Sequence, residues 1–146
     1  MNEKLSSFLF PRPTSKGQYG FVALRIAVAA FWLNSDIPRW IALVAGHPQA
    51  NGFVRNLFGP SAVVPLTYVF TSLETLGAIA LILGLLTRLT SVWAIVEFAI
   101  TGTTGILANN VGLAKDFSLF AAALVLLMNG SPLLSIDGLI VKKRSK

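Results

Sequence analysis

Residues 62–86 hold one charged side chain, Glu74, in a run made mostly of leucine, isoleucine, valine, alanine and glycine. About 20 such residues cross a bilayer once, so this run sets the solvent in which the whole chain must fold. Charged residues are only 12% of the sequence and the mean hydropathy is +0.70. A soluble domain carries about a quarter charged residues to hold its surface in water. The chain reads as an all-α integral membrane four-helix bundle, and 146 residues suit one domain.

The spans are predicted at about 19–40, 62–86, 89–109 and 114–130, within a transmembrane domain over 19–141. A cytoplasmic N-terminal arm (1–18) precedes them and a basic C-terminal tail (142–146) follows. The arm lacks a compact apolar segment before a small-residue cleavage site, so it does not read as a secretory signal. Residues 41–61 are too polar to span but contain Phe53, Val54, Leu57 and Phe58. A short amphipathic helix on the outer surface is expected there. With four spans, the termini and the Arg88 turn hold eight Lys/Arg residues, against Arg39, Arg55 and Lys115 on the other side. The excess of positive charge places both termini in the cytoplasm.

Several chemistries are excluded outright. Without cysteine there is no disulfide, iron–sulfur cluster, thiolate metal site or cysteine nucleophile. His47 is the only histidine, so a bis-histidine haem has no ligand pair within one copy, and no convergent metal-ligand set is evident. The net charge of +6 sits largely at the chain ends, where it suits anionic lipid headgroups better than nucleic acid.

A charge at mid-helix costs about 2.5–3.5 kcal/mol on insertion scales, so each one needs a reason. Glu74 and Glu97 are either protonated or paired with Arg25, the basic residue deepest in a span. Polar and small residues recur around them at spacings of three and four: Thr67, Thr71, Glu74, Thr75 and Ala78 on the second span, and Thr90, Glu97, Thr101 and Thr104 on the third. Arg25, Ala29, Trp32 and Asp36 do the same on the first, and Ser118, Ala122, Val125 and Asn129 on the fourth. Such spacing puts each set on one helical face. Counted from the cytoplasmic edge at a rise of about 1.5 Å per residue, Arg25, Glu97, Glu74 and Asp36 lie at roughly 8, 13, 18 and 24 Å. Small residues and threonines are also ordinary helix–helix glue, and an Arg–Glu pair can simply fix packing.

Leu73–Arg88, a glutamate followed by a glycine-rich apolar helix and a closing Gly84-Leu85-Leu86-Thr87-Arg88, resembles the DoxX/DoxD group of four-helix membrane proteins. Leu24-Arg25 resembles the group's early Leu-Arg. Gly130-Ser131-Pro132-Leu133-Leu134-Ser135-Ile136-Asp137 resembles its closing motif, with Pro132 where a second glycine is usual. The resemblance covers about residues 20–140. It implies a membrane subunit of a quinone-linked oxidoreductase in a prokaryotic plasma membrane, working with a partner subunit, with thiosulfate oxidation the best-known activity. A quinone site needs an apolar slot, an aromatic wall and groups that donate hydrogen bonds or protons. Glu97, Glu74 and Arg25 are the candidate catalytic residues, and Trp93, Thr101 and Thr71 the candidate cofactor-binding ones. Two other functions fit the same features: a non-catalytic subunit stabilising a larger respiratory complex, and a small transporter or proton pathway suggested by the carboxylates.

Overall fold

In lipid, a single segment satisfies its own backbone N–H and C=O groups only by becoming a helix, and the apolar runs all do so. The computed structural model describes residues 18–49, 54, 58, 63–107, 115–130 and 133–144. Among the described residues the chain is all-helical, with α1 over Gln18–Val44, α2 over Val63–Leu83, α3 over Thr87–Leu107, α4 over Asp116–Asn129 and α5 over Ile136–Arg144.

The first three helices are long and apolar enough to cross a membrane. The 21 residues of α2 or α3 rise about 31 Å, and the 14 residues of α4 only about 21 Å. The exposed faces are apolar too. Val69, Leu73, Leu76 and Ile79 on α2, and Leu89, Val92, Val96 and Ile100 on α3, are all exposed. A water-soluble monomer rarely presents so continuous an apolar surface.

Two boundaries differ from the sequence expectation. α1 runs past Trp40 through Ile41-Ala42-Leu43-Val44, carrying Pro38 inside it. The proline removes one backbone hydrogen bond without ending the helix, because the apolar residues beyond it still require helical pairing. The helix stops at Gly46, whose φ of +78° lets the chain turn back. The second difference lies at the other end of the chain. Residues 136–144 form a helix, so Lys142, Lys143 and Arg144, expected in a separate basic tail, continue a helix that begins at Ile136. The N-terminal arm up to residue 17, and residues 50–53, 55–57 and 59–61 of the expected amphipathic segment, lie outside the described residues. Val54 and Phe58 of that segment are helical, Val54 buried and Phe58 exposed with its ring 6.3 Å from Phe70.

The chain packs as two units, one within residues 1–28 and 80–146 and the other within 29–79. In the first, α3 and α4 lie against each other. Gly102, late in α3, meets Phe117 at the start of α4, and Arg88 Nη2, early in α3, donates to Met128 O at the end of α4 (2.9 Å). The two helices are therefore antiparallel. The α3 face that is buried runs Thr87, Ser91, Ala94, Phe98, Thr101, Gly102, Gly105, the three–four spacing of a helical stripe.

α5 closes the same unit. The Asp137 carboxylate accepts from the backbone N–H groups of Leu86 (2.8 Å) and Thr87 (2.9 Å), and Asp137 N donates to Gly84 O (3.0 Å). Gly84 has φ +62°, and a side chain there would run into Arg25 and Ser135. Arg25 Nη2 donates to Leu134 O (2.8 Å) and its charge is opposed by Asp137. Leu86 (φ +50°) and Leu134 (φ +47°) are both in the left-handed region, at a cost of roughly 1–2 kcal/mol each for a side-chain-bearing residue. The hydrogen bonds at Leu86 N and Leu134 O fall at these two strained residues.

Candidate functional site

In the second unit, α1 and α2 place two carboxylates on one arginine. Arg39 Nη1 is 3.2 Å from Asp36 Oδ1 and 3.3 Å from Glu74 Oε2, and donates also to Thr71 Oγ1 at 3.5 Å. Asp36 and Arg39 share a face of α1 because they are three residues apart, and Thr71, Glu74 and Thr75 share one on α2 for the same reason. The Asp36 side chain is 0% exposed, that of Glu74 7% and that of Arg39 20%. Asp36 and Glu74 thus approach the same guanidinium nitrogen from α1 and from α2.

The surrounding polar atoms are bonded into the same cluster. Thr75 Oγ1 donates to Asp36 Oδ2 (3.0 Å) and accepts from Trp40 Nε1 (3.0 Å). Tyr68 Oη donates to Arg39 O (3.1 Å) and accepts from Gln49 N (3.2 Å). The rings of Trp40 and Tyr68 lie 5.7 Å apart at 51°. With all three groups ionised, Asp36, Arg39 and Glu74 carry a formal charge of −1; one added proton makes the cluster neutral. Two carboxyl groups gathered on one cation can share such a proton.

The hydroxyls sort the threonines into two kinds. Thr67, Thr101 and Thr104 donate to carbonyls four residues back in their own helix, at Val63, Glu97 and Ile100. Ser72 and Ser91 do the same. This is how a hydroxyl is accommodated inside an apolar helix. Thr71 and Thr75 instead turn to Arg39 and Asp36 on α1.

No family model, curated protein or solved structure matches the chain.

Of the residues singled out from sequence, Glu74 and Thr71 meet on Arg39. Arg25 lies in the first unit, buried beneath Leu134–Asp137. Trp93, Glu97 and Thr101 follow one another at four-residue spacing along α3, the first two half-buried and Thr101 buried, with its hydroxyl on the Glu97 carbonyl. Arg39 is the residue that sequence reasoning missed, since ending the first span at Trp40 makes it an outer-surface charge. Two signals pointed inward: the apolar residues 41–44 beyond it, and Asp36 three positions before it.

Proposed function

We propose that the chain is a DoxX/DoxD-like membrane subunit of a quinone-linked oxidoreductase in a prokaryotic plasma membrane. In this reading α4 is a fourth, short crossing and both termini are cytoplasmic. The observation that carries the reading is the pair of buried carboxylates, Asp36 and Glu74, on Arg39 in helices fit to span a membrane. The residues suit a quinone by their donor chemistry. Among the described residues, the Arg39 bonds to Asp36, Thr71 and Glu74 all leave from Nη1. A guanidinium has five N–H donors in a fixed fork, so others serve a carbonyl oxygen on the side where Arg39 is 20% exposed. Trp40 and Tyr68 supply the aromatic wall. A bound quinone supplies the capacity to take up electrons and protons. Arg39 orients it, Glu74 and Asp36 hold or release the proton, Thr71 helps fix Arg39 and Thr75 fixes the Asp36 carboxylate. Glu97, Trp93, Thr101 and Arg25 remain the candidates of the first unit. With no cysteine to carry sulfur, sulfur chemistry and electron delivery fall to a partner subunit.

A non-catalytic subunit of a larger respiratory complex is the second reading. One observation favours it: Gly84, Arg88, Ser135 and Asp137, which carry the resemblance, are engaged in internal hydrogen bonds or close packing. Gentle detergent purification from native membranes, with mass spectrometry of co-purifying proteins and a quinone-reduction assay on the same sample, separates the two. A small complex that retains quinone and reduces it on adding thiosulfate, with Glu74→Gln abolishing turnover but not assembly, supports the enzyme reading. A large assembly in which this chain holds no quinone sinks it.

A further inference from the structure

α5 and the end of α2 form an open groove of about 510 Å³ lined by Leu83, Leu133, Leu134, Ser135, Leu139 and Lys142, among others. Its position is informative because Leu83 is the last residue of a helix long enough to cross a membrane. The groove therefore lies where hydrocarbon gives way to headgroups. Leu83, Leu134 and Leu139 are 47%, 70% and 68% exposed, so the lining is apolar and open. Lys142 on the lining and Lys143 beside it are both exposed. An open apolar lining that includes a lysine matches a molecule with an acyl chain and a phosphate, and pockets of 300–1,000 Å³ are the usual size for small ligands. Basic residues at the end of a spanning helix attract anionic headgroups by roughly 1 kcal/mol each near the surface, but that effect alone is indifferent to which lysine provides the charge.

We propose that this groove binds an anionic phospholipid of the adjoining leaflet, its phosphate against Lys142 and an acyl chain along Leu83, Leu133 and Leu139. The lipid thereby covers the α5 face that the protein leaves exposed and fixes the helix at the membrane surface. This inference is independent of the quinone reading.

The test uses the full chain purified from vesicles holding equal parts phosphatidylglycerol and phosphatidylcholine, with bound lipid counted by native mass spectrometry. Wild type should retain phosphatidylglycerol in at least threefold excess over phosphatidylcholine. Lys142→Glu should abolish that excess, whereas Lys143→Glu, one position away and off the groove lining, should keep most of it. Circular dichroism checks that both variants remain helical, and Leu139→Asp gives a second variant that removes the apolar wall and should likewise lose the bound lipid. Equal retention of the two lipids by wild type, or equal loss in Lys142→Glu and Lys143→Glu, overturns the proposal in favour of general surface attraction. Displacement of the lipid by millimolar inorganic phosphate overturns it as well, since a free anion would then be the ligand.

Discussion

Thr87 opens α3 with its backbone N–H on the carboxylate of Asp137, a residue 50 positions further along the chain. The first N–H groups of any helix have no partner within it, and here the cap comes from another helix instead of the preceding residue. The carboxylate also suits the positive end of the α3 dipole. Replacing a capping side chain by alanine costs about 0.5–2 kcal/mol. Asp137→Ala should reach the upper part of that range, because it also removes the charge that opposes Arg25. Asp137→Asn should lose less. Thermal unfolding in detergent reads the difference, and equal stability of the two variants would refute the charge contribution.

Gly84→Ala should be among the most damaging small substitutions. Its φ of +62° is left-handed, and the new Cβ would lie 2.8 Å from Ser135 Cα, a backbone atom that cannot rotate away. The left-handed cost of roughly 1–2 kcal/mol adds to overpacking of typically 1–3 kcal/mol. Gly20→Ala, where nothing lies within 4 Å, is the matched control and should be neutral or slightly stabilising. Yield of folded monomer and melting temperature together provide the measurement.

Arg39 holds two buried carboxylates, so Arg39→Gln removes the only cation either of them touches among the described residues. Breaking one side of a buried pair costs about 3–5 kcal/mol, and the partial exposure of Arg39 favours the lower end. Removing Glu74 as well should restore part of the loss, since fewer uncompensated charges remain. A double-mutant cycle over Arg39→Gln and Glu74→Gln should therefore show coupling of about 1–3 kcal/mol. Additive losses would show that the two side chains do not act as a pair.

Gly102 sets the approach of α3 to α4. A Cβ there would meet Phe117 N and Cδ2 at 3.0 Å, so Gly102→Val should push the helices apart at a cost of about 1–3 kcal/mol. Proteolysis between α3 and α4 is the convenient readout. Cleavage should rise in Gly102→Val relative to wild type, and unchanged protection would contradict the close approach.

What was legible in the sequence follows from the strength of the solvent argument. A run such as 62–86 in lipid has few choices but a helix, so α2 and α3 stand close to their predicted limits. The end of α1 was misplaced because Arg39 and Pro38 look like a terminus when read one residue at a time. In the fold, Asp36 and Glu74 meet the charge of Arg39, so the helix continues to Val44. For the same reason Glu74 was legible as an anomaly but its cation was not: the pairing joins residues 35 positions apart, and periodicity within one helix cannot report it. Thr71 and Thr101 share one sequence signature, and only the direction of each hydroxyl separates a cluster member from a residue bonded to its own helix. α5 was not foreseen as a separate helix, because the bonds that anchor it at Asp137 join it to Gly84, Leu86 and Thr87, about fifty residues upstream.

The dependence of α3 on Asp137 also bears on the order of biosynthesis. Chains are made N-terminus first, at about 5–20 residues per second, so the turn at Gly84–Leu86 is synthesised several seconds before the carboxylate that will cap it. Until Asp137 is in place the first amides of α3 need other acceptors, and the Leu86 N–H has no Asp137 carboxylate to donate to and so offset its left-handed backbone. A nascent chain stalled before residue 137 would carry an unlatched hairpin. A residue made fifty positions later thus completes a helix already begun.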